Sequence, residues 1–267
     1  MLEAGAGPLV LLLPGLGDPA ETWEEAMSAL AKAGYHAVAL DLPGHGASDK
    51  PRDPAAYRLR SITSLLDTVA DELGARRLAL VGVSLGGLVA AHYAASQPER
   101  VAAQALVAPA GLSPELTPFL RWLARPIIGH FLAAPPKGLL RRGLRAMVRQ
   151  QRAVPEAFVE TYYRYRHTAG AASALVHIMR QGIAKGQLRP DALLPLRLRD
   201  CGVPTLLVLG RDDPLVPHRQ GEALVAAMPS ASLWLVPECG HWPHREHPEA
   251  FHERLLAFLW ERYPPQA

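Results

Sequence analysis

The sequence predicts an α/β fold: a mostly parallel, doubly wound sheet with a helical cap inserted between two of its strands. Three observations predict it. Short apolar runs alternate with helical stretches from Leu9 to Pro109. That rhythm stops at Gly111 and resumes at Val203, with only helical patterns between. A glycine-bracketed serine, Ser84, sits where one apolar run meets a helix. Alternating strands and helices imply a parallel sheet covered on both faces, because each crossover helix must bury its apolar stripe against the sheet.

The elements follow in order. Leu9–Leu13 (LVLLL) reads as a buried strand that ends at Pro14-Gly15. Thr22, with Glu25 three residues later, reads as a capping box opening a helix that Gly34 closes. His36–Leu40 is the next strand, and Ser61–Leu73 an amphipathic helix closed by Gly74. Leu78–Val83 is a strand, Leu85–Ala95 a helix and Val101–Ala108 a strand. Past the insertion, Val203–Leu209 and Ser232–Val236 read as strands and Pro248–Tyr263 as a final amphipathic helix. The implied division is 1–110 and 201–267 for the sheet core and 111–200 for the cap. Open α/β sheets bind ligands outside the carboxyl ends of their strands, so a cap inserted there would lie over the site.

Composition narrows the classes. Of 267 residues, 49% are hydrophobic and 20% charged, enough for a sizeable core and unlike a disordered or fibrous chain. A net charge of +3 is too mild to imply nucleic acid. Cys201 and Cys239 do not make a disulfide framework. No apolar run approaches the roughly 18 residues of a membrane span. Pro8–Leu16 is short and has no Lys or Arg before it, so no secretory signal is expected, and the expected location is cytoplasmic.

The chemistry is carried by Gly82-Val83-Ser84-Leu85-Gly86-Gly87. An apolar strand precedes it and a small-residue helix follows, so the turn between must be sharp. Gly82 and Gly86 lack the Cβ atoms that would collide where strand and helix nearly touch. Ser84 then sits at the tip, beside a helix N-terminus. A serine hydroxyl is a poor nucleophile without a base, and the base needs an orienting acid. Both belong at later strand ends. Asp212 and Asp213 follow Val203–Leu209, and His241 follows Ser232–Val236 in a loop flanked by Gly240. His244, His247 and His252 fall toward the final helix and are expected to be solvated or structural. No carboxylate–cysteine pattern accompanies them, so neither metal nor organic cofactor is expected. The oxyanion of an acyl-transfer transition state needs backbone N–H donors. Leu85, after the nucleophile, is one expected donor. Leu16, in the loop Pro14-Gly15-Leu16-Gly17, is the other. Trp242, beside His241, is the candidate for contact with substrate.

At these residues the chain resembles the α/β-hydrolase fold superfamily, over essentially its whole length. Residues 11–17 (LLLPGLG) resemble that family's His-Gly-x-Gly oxyanion loop, with Pro14 in place of the usual histidine. Asp41-Leu42-Pro43-Gly44-His45-Gly46-Ala47-Ser48 resembles its Asp-x-Pro-Gly-x-Gly-x-Ser loop. The resemblance implies the chain order Ser84, acid, His241, and its Gly-x-x-Asp-x-x-x-Pro spacing selects Asp213 over Asp212. Serine at position 84 matches esterases and lipases; dehalogenases and epoxide hydrolases of this fold carry aspartate there. The usual antiparallel edge hairpin is expected to be absent or much shortened. Cys-Gly-His-Trp-x-x-x-Glu-His (239–247) is similar to enzymes that hydrolyse carbon–carbon bonds of aromatic ring-cleavage products, although those carry Asn where Val83 stands. The short start, the Gly-x-Ser-Leu-Gly-Gly turn and the arginine-bearing cap also resemble esterases that cleave pimeloyl-acyl carrier protein methyl ester. The expected activity is hydrolysis of a small-molecule carboxylic ester through an acyl-enzyme. A carbon–carbon hydrolase of a vinylogous diketone and a non-catalytic ligand-binding member of the fold are the alternatives.

The cap is strongly basic. Between Leu116 and Pro155 there is no Asp or Glu, while Arg121, Arg125, Lys137, Arg141, Arg142, Arg145, Arg149 and Arg152 all lie there. Arg142, Arg145, Arg149 and Arg152 follow helical spacing, which predicts one basic amphipathic helix. It is either a solvated face in an arginine-rich chain or a dock for an anionic acyl carrier, an anionic acyl group, or an acidic surface such as a membrane.

Overall fold

A computed structural model describes residues 1–265. Its strands in chain order are β1 (Leu2–Ala4), β2 (Leu9–Leu13), β3 (His36–Ala39), β4 (Leu78–Val83), β5 (Val101–Val107), β6 (Ile183–Ala184), β7 (Gln187–Leu188), β8 (Thr205–Gly210) and β9 (Ala231–Val236). One 7-stranded sheet runs in the order β1-β3-β2-β4-β5-β8-β9. Every pairing in it is parallel except β1 with β3. β2, β4 and β5 are buried at every position, which is why they read as unbroken apolar runs.

Helices α1 (Glu24–Lys32), α2 (Leu59–Glu72) and α3 (Leu85–Ser96) join the early strands. The insertion holds α4 (Pro118–Leu123), α5 (Pro126–Ala133), α6 (Lys137–Ala146), α7 (Glu156–Arg166), α8 (Ala171–Gly182) and α9 (Leu194–Leu198). Helices α10 (His218–Ala226), α11 (Pro243–Glu246) and α12 (Pro248–Arg262) follow. Alternate residues of β2 feed opposite sides of the sheet. Val10 and Leu12 enter a layer with Trp23, Leu30 and Phe251. Leu9, Leu11 and Leu13 enter another with Leu66, Val89 and Leu106.

Three local expectations are corrected and one is met: the edge hairpin is much shortened, to a single strand, β1, paired antiparallel from Leu2↔Ala39 to Ala4↔Ala37. Three residues are too few to show a period of two, and positive-φ Gly5 and Gly7 end the strand at once. The capping box at Thr22 and Glu25 does not form. Ala20–Trp23 makes a 3₁₀ turn, α1 begins at Glu24, and Thr22 is buried with its hydroxyl 3.5 Å from His244 Nε2. The insertion is not purely helical: β6 and β7 form a hairpin across Lys185-Gly186, both at positive φ. The basic helix is also interrupted. Arg142 and Arg145 lie on α6, but Arg149 and Arg152 lie past its end. The N–H groups of Arg149 and Gln150 donate to the Glu246 carboxylate instead of to the preceding turn. Lys137 and Arg141 pair with acids of α7 that the sequence places after Pro155.

Candidate active site

The turn from β4 into α3 holds Ser84 at φ 52°, ψ −113°, a conformation that L-residues rarely adopt. The close approach is real. A Cβ on Gly82 would lie 2.3 Å from the Gly86 carbonyl oxygen, and one on Gly86 would lie 2.1 Å from the Leu13 carbonyl oxygen. The Ser84 N–H donates to Val107 O at 2.9 Å, and its carbonyl accepts from Ala110 N at 3.0 Å. The strain is therefore held by neighbours on β5 and just beyond it. The serine itself is half-buried.

His241 lies in the loop after β9, and Asp213 in the loop after β8. Asp213 Oδ2 lies 2.8 Å from His241 Nδ1. Asp213 Oδ1 accepts from the N–H groups of Leu215 at 2.7 Å and Val216 at 3.0 Å. With Nδ1 committed to the carboxylate, Nε2 is left to accept a proton. Burial alone would lower the imidazole pKa. The charge of Asp213 and its hydrogen bond outweigh burial and hold that pKa above its ordinary value. Asp212, the competing acid, is exposed and faces Arg149 at 3.6 Å.

Glu246, fully buried, organises this loop. Its Oε1 accepts from Gly240 N at 2.9 Å and Trp242 N at 3.3 Å; its Oε2 accepts from Arg149 N at 2.6 Å and Gln150 N at 3.0 Å. His241 N donates to Met147 O at 2.8 Å. The histidine loop and the end of α6 are thus one hydrogen-bonded unit. Trp242 is only 1% exposed, its ring 5.7 Å from that of Phe158 and 6.2 Å from that of Tyr162 on α7. It joins the histidine loop to the cap.

The loop after β2 passes beside Ser84: a Cβ on Gly15 would lie 3.4 Å from Ser84 Cβ. Pro14 offers no side-chain bond, and other groups brace the loop. Asp18 Oδ2 accepts from Gly15 N at 3.2 Å. Arg166 of α7 donates from Nη2 to Leu16 O at 3.4 Å and from Nη1 to Ala133 O at 3.1 Å. The Arg166 Nε is buried without a partner among the described residues. Burial pushes the Asp18 carboxyl above its ordinary pKa, against the pull of the Tyr162 hydroxyl, Arg166 and His241. Leu16 and Leu85 pack against one apolar cluster that includes Ala174, Leu175 and Met179 of α8.

Of the other histidines, His244 is buried 4.3 Å from the Trp23 ring centroid, and His247 contacts the Glu238 carbonyl. Among the described residues no three metal-ligating side chains cluster. Sequence reasoning gave no role to Glu246, Asp18 or Arg166. Glu246 was visible inside the 239–247 pattern. Arg166 carried no local signal, because only the fold brings α7 to the loop after β2.

Comparison with known proteins adds four findings. The alpha/beta hydrolase fold family matches residues 8–248. A 2-hydroxy-6-oxononadienedioate/2-hydroxy-6-oxononatrienedioate hydrolase of Comamonas testosteroni is 29% identical, over 96% of this chain and 89% of its own. A 2-hydroxy-6-oxo-6-(2'-aminophenyl)hexa-2,4-dienoic acid hydrolase of Metapseudomonas resinovorans is 31% identical, over 98% of this chain and 87% of its own. A solved serine hydrolase involved in carbazole degradation superposes with a TM-score of 0.82 at 27% identity, covering 98% of this chain and 94% of that one. The named substrates of both curated relatives are keto-acids without an ester group. That finding corrects the expectation of carboxylic ester hydrolysis and favours the carbon–carbon alternative.

Proposed function

We propose that this chain, a member of the alpha/beta hydrolase fold family whose curated relatives are hydrolases, cleaves a carbon–carbon bond in a 2-hydroxy-6-oxo dienoate or similar vinylogous diketone. The observation that carries this reading is the Arg166 guanidinium, which lies against the loop beside Ser84 with one nitrogen buried and unpartnered among the described residues. A dienoate brings a carboxylate, and a partly desolvated arginine is the side chain best matched to one.

Ser84 Oγ adds to the ketone carbon as its proton passes to His241 Nε2, while Asp213 holds the imidazole and stabilises the imidazolium. The carbonyl oxygen becomes an oxyanion, which the N–H groups of Leu16 and Leu85 receive. The substrate reacts as its keto tautomer, the C2 hydroxyl having lost its proton and C5 having gained one, so that C5 is saturated and C3=C4 is conjugated with the C2 carbonyl. The bond between C5 and C6 then breaks. Its electron pair passes through C3=C4 to the C2 oxygen as a dienolate, which a cation near the carboxylate end stabilises, and His241 returns its proton to that oxygen. Water hydrolyses the acyl-serine, releasing a carboxylic acid and a hydroxydienoate. Trp242 and Tyr162 close the apolar side behind His241.

The test is bleaching of the dienoate chromophore of 2-hydroxy-6-oxo-6-phenylhexa-2,4-dienoate. The expected result is turnover that Ser84→Ala abolishes and that exceeds turnover of p-nitrophenyl esters in kcat/KM. Ester turnover without any bleaching would overturn the reading.

A further inference from the structure

Helix α5 is packed inside out. Its buried residues are Gly129 and Ala133, among the smallest side chains available. Ile127 and Phe131 are 77% and 76% exposed. Gly129 is the contact point: a Cβ there would lie 2.2 Å from Leu123 O and 2.9 Å from Val176 Cγ2. The helix therefore lies against α4 and α8 through its smallest face, and its bulky face is turned outward. The preceding helix α4 behaves alike, with Phe119 51% and Trp122 45% exposed. Four large apolar side chains exposed on two consecutive helices are the kind of surface that marks an interaction site.

We propose that the outer face of α4 and α5 docks on an anionic lipid surface. Charge decides the partner. Arg121 and Arg125 interleave with the apolar residues, and the Arg125 guanidinium stacks 4.5 Å from the Trp122 ring centre. Neither makes an ion pair among the described residues. No acid occurs between Leu116 and Pro155. A second copy docking through the same face would set arginine against arginine, since a two-fold interface presents one patch to itself. A bilayer with anionic headgroups takes both features at once: hydrocarbon receives Ile127 and Phe131, phosphate receives the guanidinium groups, and tryptophan sits at the boundary. The helices lie on such a surface and do not cross it. Their 6 and 8 residues fall far short of a span, and no described helix is long and apolar enough for one. The opposite, inner face of α5 touches the site. Ala133, at the end of α5, accepts from the same Arg166 that bonds Leu16.

Co-sedimentation of the intact chain with phosphatidylglycerol/phosphatidylcholine vesicles tests this. Binding is expected to such vesicles, weakly to phosphatidylcholine alone, and less at 1 M salt, where the Debye length falls to about 3 Å. Ile127→Ser with Phe131→Ser should weaken it by about tenfold or more, with an unchanged circular dichroism spectrum. Arg121→Gln with Arg125→Gln should remove the preference for the anionic lipid. A blue shift of Trp122 fluorescence on vesicles, lost in Trp122→Phe, supports the same face without relying on the serine variants. No sedimentation of the wild type, or equal sedimentation of the serine variant, would overturn the proposal. So would a wild-type dimer in velocity sedimentation that the serine variant converts to monomer.

Discussion

At Asp213 the two carboxylate oxygens do different work: Oδ1 is fixed by two backbone N–H groups and Oδ2 holds His241. Asp213→Asn keeps the shape but removes the charge that raises the imidazole pKa. The base is neutral imidazole, so wild-type kcat/KM should rise with pH along a limb centred above the ordinary histidine value. In the variant that limb should move to lower pH, and the plateau should fall by about 10⁴, as loss of the correct tautomer does elsewhere. Asp212→Asn should change the plateau little, since exposed ion pairs such as that with Arg149 contribute about 1 kcal/mol or less. A pH–rate profile of the two variants separates them, and the reverse ranking would assign the acid to Asp212. Arg166→Gln should raise KM for a dienoate substrate, costing about 2 kcal/mol or more in kcat/KM, with little effect on a neutral ketone analogue. Equal losses on both would make Arg166 a brace for the Leu16 loop only. The choice of Asp213 rests on resemblance, since the family's Gly-x-x-Asp-x-x-x-Pro spacing selects it, and the fold sets its carboxylate 2.8 Å from His241. Arg166 was not legible, because its meaning depends on a contact 150 residues away in sequence.

The loop 239–247 is the element on which the histidine depends. Glu246 satisfies four backbone N–H groups, two within that loop and two at the end of α6. Glu246→Ala would leave those donors buried without partners, at about 1–3 kcal/mol for each one that water does not reach. Urea denaturation should show a loss of about 3 kcal/mol or more, and Glu246→Gln should recover part of it. A variant as stable as the wild type would mean that water replaces the carboxylate. The same contact explains why periodicity misjudged α6. Arginine spacing continues in helical phase to Arg152, but a carboxylate 97 residues further along takes the Arg149 N–H and ends the helix. By contrast, β4 was read to the residue, since a strand buried on both faces writes its limits as an apolar run between charged and turn residues. β1, β6 and β7, with two or three residues each, carry too little pattern to be read.

Over the whole molecule, the insertion is not a lid laid on a finished core. Leu140, Leu144, Val148, Val154, Phe158, Val159 and Tyr162 of the insertion share one apolar cluster with Trp23, Trp242 and Phe251. Backbone and side-chain bonds cross the same seam at Met147–His241, Glu246–Gln150, Arg166–Leu16 and Tyr165–Glu21. Neither part can unfold without exposing the other's apolar surface. Chains of this length often unfold in stages, since two-state behaviour is usual only below about 150 residues. Here the shared cluster should enforce one transition. Trp23 and Trp242 are buried in the seam and report its loss by fluorescence. The helices, many of them in the insertion, report by far-ultraviolet circular dichroism. The two urea midpoints should coincide, and a chain with 111–200 replaced by a short Gly/Ser linker should fail to fold. An early dichroism transition that leaves tryptophan emission unchanged would instead show an insertion that detaches while the seam stays closed. The geometry opposes that outcome, because stripping α6 and α7 away would bare Trp242 and release the backbone of His241.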